Sequence, residues 1–193
     1  MAKVVTFGEI MLRLRPPGFE RLFQTPTLGA TFGGGEANVA ISLAQFGLDS
    51  HYVTRVPAHA VGDGAIRTLR GEGVKVDHVL RGGERLGIYF AEAGASQRAS
   101  NVIYDRAHAA IAGAKPGMFA WSEILSGADW FHVTGITPAL GPDAAACTRD
   151  AVQAARDAGA RVSIDLNYRK KLWARAEAQT TMRPLAAMAD LII

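Results

Sequence analysis

Between residues 128 and 193 the chain switches four times between a short apolar run and a helical one. ADWFHVTG (128–135) and ARVSIDLN (160–167) are apolar and rich in β-branched residues, and ADLII (189–193) repeats the type. Between the first two, Pro142 stands where a helix takes its first turn and Gly159 where it ends. Residues 175–188 form a second helical run. Strands joined through helices are parallel, and the helices cover the sheet they connect. The expected class is therefore α/β.

The first half reads differently. KVVTFGE (3–9) predicts a buried opening strand, and MLRLRP (10–16) sets Leu12 and Leu14 against Arg13 and Arg15. That period of two predicts a strand with one wet face, broken by Pro16, Pro17 and Gly18. Residues 36–46 predict a helix with Val39, Leu43 and Phe46 on one stripe and Gly47 as its C-cap. Strands at 51–56 and 74–80 flank a helix at about 62–71. LGIYFAEAG and SNVIYDR, within 86–106, are extended runs around a polar turn, which predicts a long hairpin. The wet strand at 10–16 and the hairpin at 86–106 do not fit a layered core. They predict a small accessory sheet, a candidate lid.

Bulk properties exclude several classes. A net charge of +3 over 193 residues, with the charges scattered, does not predict nucleic-acid binding. RKKLWAR (169–175), the densest basic run, reads as a solvated helix start. Cys147 is the lone cysteine, so no disulfide framework is expected, and it reads as a buried spectator. The start MAKVVTFGEI is too short and polar for a signal peptide, and no run approaches the ~18 apolar residues of a membrane span. A cytoplasmic protein is expected, with no membrane association. The apolar run ADLII at the chain end predicts the N-terminal part of a longer protein.

FGGGEANVA (32–40) raises the functional question: three glycines admit something close to the backbone at a helix start. A nucleotide phosphate and a polyhydroxylated substrate compete, alongside a tight strand-to-helix turn. No Gly-Lys pair exists, so there is no Walker A loop. From Gly33 the sixth position is Asn38, so the dinucleotide fingerprint fails too. Motifs of zinc and serine hydrolases are missing. Asn38 offers a donor and an acceptor, which suits a sugar hydroxyl.

Read together with VVTFGEIMLRL, LGIYF, VIYDR, FHVTGITPAL and SIDLNYRKKLW, the run FGGGEANVAISLAQFGL resembles the PfkB or ribokinase-like carbohydrate kinases. Within them it is most similar to the 2-keto-3-deoxygluconate kinase group. The pieces follow family order across the whole chain. The resemblance implies a ribokinase-like αβα doubly wound core with a small β-sheet lid, residues 1–193 being the N-terminal part of that one domain. It implies phosphorylation of a sugar hydroxyl by ATP with Mg2+. It places the catalytic aspartate in a C-terminal G-A-G-D motif, which this sequence does not contain; its single Gly-Asp is Gly62–Asp63. No catalytic residue is therefore expected within the chain, and the isolated chain is expected to be inactive.

By the same resemblance Gly34, Tyr89, Tyr104, Arg106 and Arg169 are substrate contacts, with Gly35 and Asn38 added from the helix start. Arg106 and Arg169 suit the carboxylate of a sugar acid. The blander readings are strand packing for the tyrosines, a surface pair with Asp105 for Arg106, and helix cover for Arg169. Strand alternation predicts that Asp105 faces away from Tyr104 and Arg106. Thr134–Thr137, Asp165 and Asn167 end strands and are expected near the site. His132, Trp121, Trp130 and Trp173 read as structural. Two alternatives stay open: a kinase for a neutral sugar or nucleoside, and a non-catalytic sugar-binding module. A homodimer through the lid is a further expectation of the resemblance.

Overall fold

A computed structural model describes residues 1–193. Six strands form a parallel sheet: β1 (Lys3–Phe7), β4 (Asp49–Val56), β5 (Val79–Arg81), β8 (Trp130–Thr134), β9 (Arg161–Asp165) and β10 (Leu191–Ile192). Their order is β10-β9-β8-β1-β4-β5, with every pairing parallel. The chain starts in the middle of the sheet, then grows to one side through β4 and β5 and to the other through β8 to β10. That reversal at β1 is the switch point at which α/β proteins form their sites.

Both faces are covered. Phe7, Phe131, Val133 and Ile164 enter one cluster of 24 buried residues, sealed by α3 (Trp121–Ile124), α4 (Pro142–Asp157) and α5 (Arg175–Ala186). Tyr52 enters the other, with Ala37 and Ala40 of α1 (Gly35–Gln45) and Ala65 and Leu69 of α2 (Ala60–Gly71). Pro142 opens α4, and Gly159 follows it at φ 77°, the left-handed exit the sequence predicts.

A second sheet of four strands has the order β3-β2-β6-β7. It comprises β2 (Met11–Arg15), β3 (Gly29–Gly33), β6 (Gly87–Glu92) and β7 (Asn101–Asp105). β6 and β7 are the expected hairpin, and β2 is the expected wet-faced strand, now paired parallel to β6. Leu12 and Phe32 turn to one face and pack against the smaller cluster. Arg13, Tyr89 and Tyr104 stand in register on the other face.

Three expectations need correction, and one strand was not expected. Phe46 is 82 % exposed, because α1 buries its small side, Ala37 and Ala40, against the sheet. The strand expected at 74–80 is reduced to β5, with one isolated bridge from Lys75 to His51. β3, GATFG, carries too little periodicity to be seen in advance, and pairing with β2 creates it. RKKLWAR is not a helix start, since α5 begins at Arg175 after a turn.

Candidate functional site

The chain crosses between the two sheets four times, and the first two crossings, at Gly8–Ile10 and at Gly33–Gly35, meet each other. The glycines of the second crossing have three different reasons. A Cβ on Gly34 would overlap the carbonyl oxygen of Glu9, so the two crossings touch backbone to backbone. A Cβ on Gly33 would stand 2.8 Å from the Tyr89 hydroxyl, which lies over it. Gly35 has ordinary room, with Thr134 Cγ2 at 3.5 Å. Close approach at the triple glycine is therefore made first by the protein itself.

Glu36 follows, fully buried in α1's first turn. Its Oε1 accepts hydrogen bonds from the Thr134 N–H (3.1 Å), the Thr134 hydroxyl (2.9 Å) and the Thr137 hydroxyl (2.8 Å). Gly8 leaves the space its carboxyl occupies. Burial pushes the Glu36 carboxyl up, and the threonine bonds draw it back in part. The carboxyl thus fastens the loop after β8 to the start of α1. The threonine hydroxyls expected near a ligand are spent on this internal task.

Above the crossings opens a cleft of about 630 Å³, between the second sheet and the C-terminal ends of β8 and β9. All seven residues singled out in the sequence line it. Gly34, Gly35 and Asn38 form the floor at the start of α1. Tyr89, Tyr104 and Arg106 form the wall of the second sheet, and Arg169 stands opposite. The tyrosine rings are 5.9 Å apart, and the Arg106 guanidinium lies 5.5 Å from the Tyr104 ring centre. Burial raises the Tyr89 phenol, with Arg13 opposing the shift, so it is a neutral hydroxyl that can donate or accept.

Asp105 faces away, as alternation requires, and pairs with Arg85 at 2.8 Å. Arg106 is therefore not its partner. Arg106 Nη2 pairs instead with the buried carboxylate of Glu9. Arg169 is exposed, and its guanidinium has no acidic partner. Lys170 and Lys171 line the same wall. Asn167 also lines the cleft, held at φ 38° in a turn in which its N–H donates to Asp165 Oδ1 at 2.8 Å.

Lys170 and Lys171 in the cleft lining, and Glu9 behind Arg106, were not singled out in the sequence. A lone acid after a strand and two lysines in a basic run carry no periodic or spacing signal. The residues expected to be structural lie elsewhere. His132 Nδ1 is 3.1 Å from Ser163 Oγ, and burial lowers its pKa. Trp121 and Trp173 are buried, and Trp130 stacks under Arg161. Cys147 is buried within α4, its thiol pushed up to about 11 chiefly by burial, which leaves no thiolate to act. No three His, Cys, Asp or Glu side chains gather as metal ligands, and the cleft's donors are amide, phenol and cationic groups. These residues do not by themselves fit a nucleotide with its magnesium. No helix is long and apolar enough to cross a membrane.

A parallel sheet with its switch point under a glycine-opened helix, roofed by a second sheet, is the architecture that the sequence resemblance implies. The chain belongs to the pfkB family of carbohydrate kinases, whose family model matches residues 1–193. The fold is ribokinase-like. It superimposes with a TM-score of 0.98 on the crystal structure of 2-dehydro-3-deoxygluconokinase from Thermotoga maritima, at 54 % identity, covering 100 % of this chain and 59 % of that one. It is 36 % identical to the 2-dehydro-3-deoxygalactonokinase of Haloferax volcanii, over 100 % of this chain and 60 % of the relative. A fructokinase of Klebsiella pneumoniae is 31 % identical, over 89 % and 52 %. The chain thus spans about three-fifths of the length of the first two relatives.

Proposed function

We infer that the complete protein is an ATP-dependent kinase of a sugar acid, with 2-keto-3-deoxygluconate as the leading substrate. The observation that carries this reading is the charge of the cleft. Arg106, Arg169, Lys170 and Lys171 all line it, together with Gly34, Gly35 and Asn38 at the start of α1. A neutral sugar needs hydroxyl partners and no such concentration of cations, whereas a carboxylate is held by them. Tyr89 and Tyr104 supply flat faces and hydroxyls above the ring. Similarity to kinases named for deoxy-keto sugar acids supports the same choice.

Residues 1–193 supply the sugar half of this reading, as the N-terminal part of one domain. ATP and Mg2+ belong to the complete enzyme, as does the aspartate that accepts the hydroxyl's proton. What these residues do is bind and orient the acceptor and, through the second sheet acting as a lid, exclude water from it. Pairing of two copies through that sheet belongs to the same proposal.

The test is an ATP-turnover panel on the intact protein with 2-keto-3-deoxygluconate, its galacto epimer, fructose and a nucleoside. The acids are expected to lead in kcat/KM by about a hundredfold, the scale of a charge-assisted bidentate pair. Equal turnover of fructose would overturn the sugar-acid reading. The fructokinase relative makes that the second reading.

A further inference from the structure

Glu9 sits on the link from β1 to β2, and its side chain is 2 % exposed. One residue there touches two strands of the second sheet and the floor of the cleft. Its carboxylate pairs with Arg106, at the end of β7. Space for that carboxylate comes from Gly87 at the start of β6, where a Cβ would stand 2.5 Å from Oε1. Its carbonyl packs against Gly34, the N-cap of α1.

Stability does not account for this pair. Burial pushes the Glu9 carboxyl up, Arg106 draws it back, and Glu36 adds to the push. Glu9 Oε1 and Arg106 Nε are both buried without a hydrogen-bond partner. Buried ion pairs with orphaned atoms gain little over apolar packing. Geometry does account for it. A guanidinium is a rigid planar fork, so fixing Nη2 fixes the other edge. Nη1 makes no hydrogen bond within the protein, and Arg106 borders the cleft.

We propose that Glu9 is a positioning residue for the acid-binding site: it clamps Arg106 so that the free edge of the guanidinium meets the substrate's carboxylate, and so sets the preference for sugar acids over neutral sugars. The proposal rests on the sugar-acid reading above. It also gives Arg169, Lys170 and Lys171 a purpose. With Arg106 already facing an acid, the net positive charge that attracts the anion comes from the opposite wall.

Steady-state kinetics of the intact protein test it, with 2-keto-3-deoxygluconate, with fructose at high enzyme concentration, and with KM for ATP as internal control. Glu9→Ala is expected to lower the acid-to-neutral ratio of kcat/KM by about tenfold or more, the scale of a hydrogen bond to a charged group, with KM for ATP unmoved. Glu9→Gln is expected to recover most of the ratio, because its amide oxygen accepts the same bond. Where the alanine variant does not fold, Glu9→Asp withdraws the carboxylate by one methylene and is expected to lower the ratio alone. An unchanged ratio in Glu9→Ala or Glu9→Asp, or equal losses for both sugars, overturns the role of Glu9. Arg106→Ala separates the two readings. If it spares the ratio, the sugar-acid reading itself fails; if it collapses the ratio and the Glu9 variants do not, only the clamp fails.

Discussion

The two sheets use strands of similar length and spend them differently. β1 and β8 each bury four of five residues, whereas β3 buries only Gly33 and β7 none. The parallel sheet is enclosed by helices on both faces, so its strands read as continuous apolar runs. The second sheet keeps one face for Tyr89, Tyr104 and Arg13, and only the other for packing. A face left open to a cleft cannot also be core, and its stability is borrowed from the strands and crossings that hold it.

The largest expected contrast is between Phe131→Ala in β8 and Ile103→Ala in β7. Phe131 is fully buried and Ile103 is 49 % exposed. Urea unfolding is expected to show a loss of about 3–5 kcal/mol for the first and no more than about 0.5 kcal/mol for the second. Equal losses would mean that the second sheet is as much core as the first.

Gly34→Ala and Gly35→Ala sharpen the same contrast at the boundary. The first forces a methyl into the Glu9 carbonyl, at a cost of about 1–3 kcal/mol or more because backbone must move. The second meets only ordinary contacts. Its thermal midpoint is expected to stay near wild type, and its binding of sugar to weaken. A stable Gly34→Ala protein would show that the crossings are not in contact.

The buried acids give a smaller, pH-dependent effect. Glu36 has its folded pKa raised above 4.5, chiefly by burial. A raised carboxyl contributes stability that is full below its unfolded pKa and is lost as pH rises through the folded one. Glu36→Gln is therefore expected to flatten the stability profile above about pH 4.5, as read from thermal midpoints across acid to neutral buffers. A parallel profile for variant and wild type would place the titration elsewhere. The smallest effect is expected from Arg85→Ala, whose partner Asp105 lies on the open surface. Any change in thermal midpoint should vanish in high salt.

How much of this was legible in the sequence follows the same division. The core strands announce themselves because burial on both faces demands apolar residues at every position, as in KVVTF and WFHVT. The helix over 142–157 is bracketed by its own proline and glycine. Phe46 misled because a helix can turn its small residues inward, and stripe size says nothing about which side the sheet occupies. β3 was hidden because its pairing energy lies in β2, distant in sequence but adjacent in space. In the cleft, the seven residues singled out could be placed together only with the family resemblance. Glu9 stayed hidden because its partner, Arg106, is 97 positions distant, and a single acid carries no period.

The central position of β1 has a consequence for how such a chain is made. Lys3 pairs with Asp49, and Val4 with Trp130. β1 therefore lacks its second neighbour until residue 130 has emerged from the ribosome. At translation rates of 5–20 residues per second, that is a wait of roughly ten seconds. During that wait KVVTF is an apolar strand with an open edge, the kind of segment that pairs with the wrong partner. Synthesis speed between residues 49 and 130 is then expected to affect how much of the protein reaches its native state.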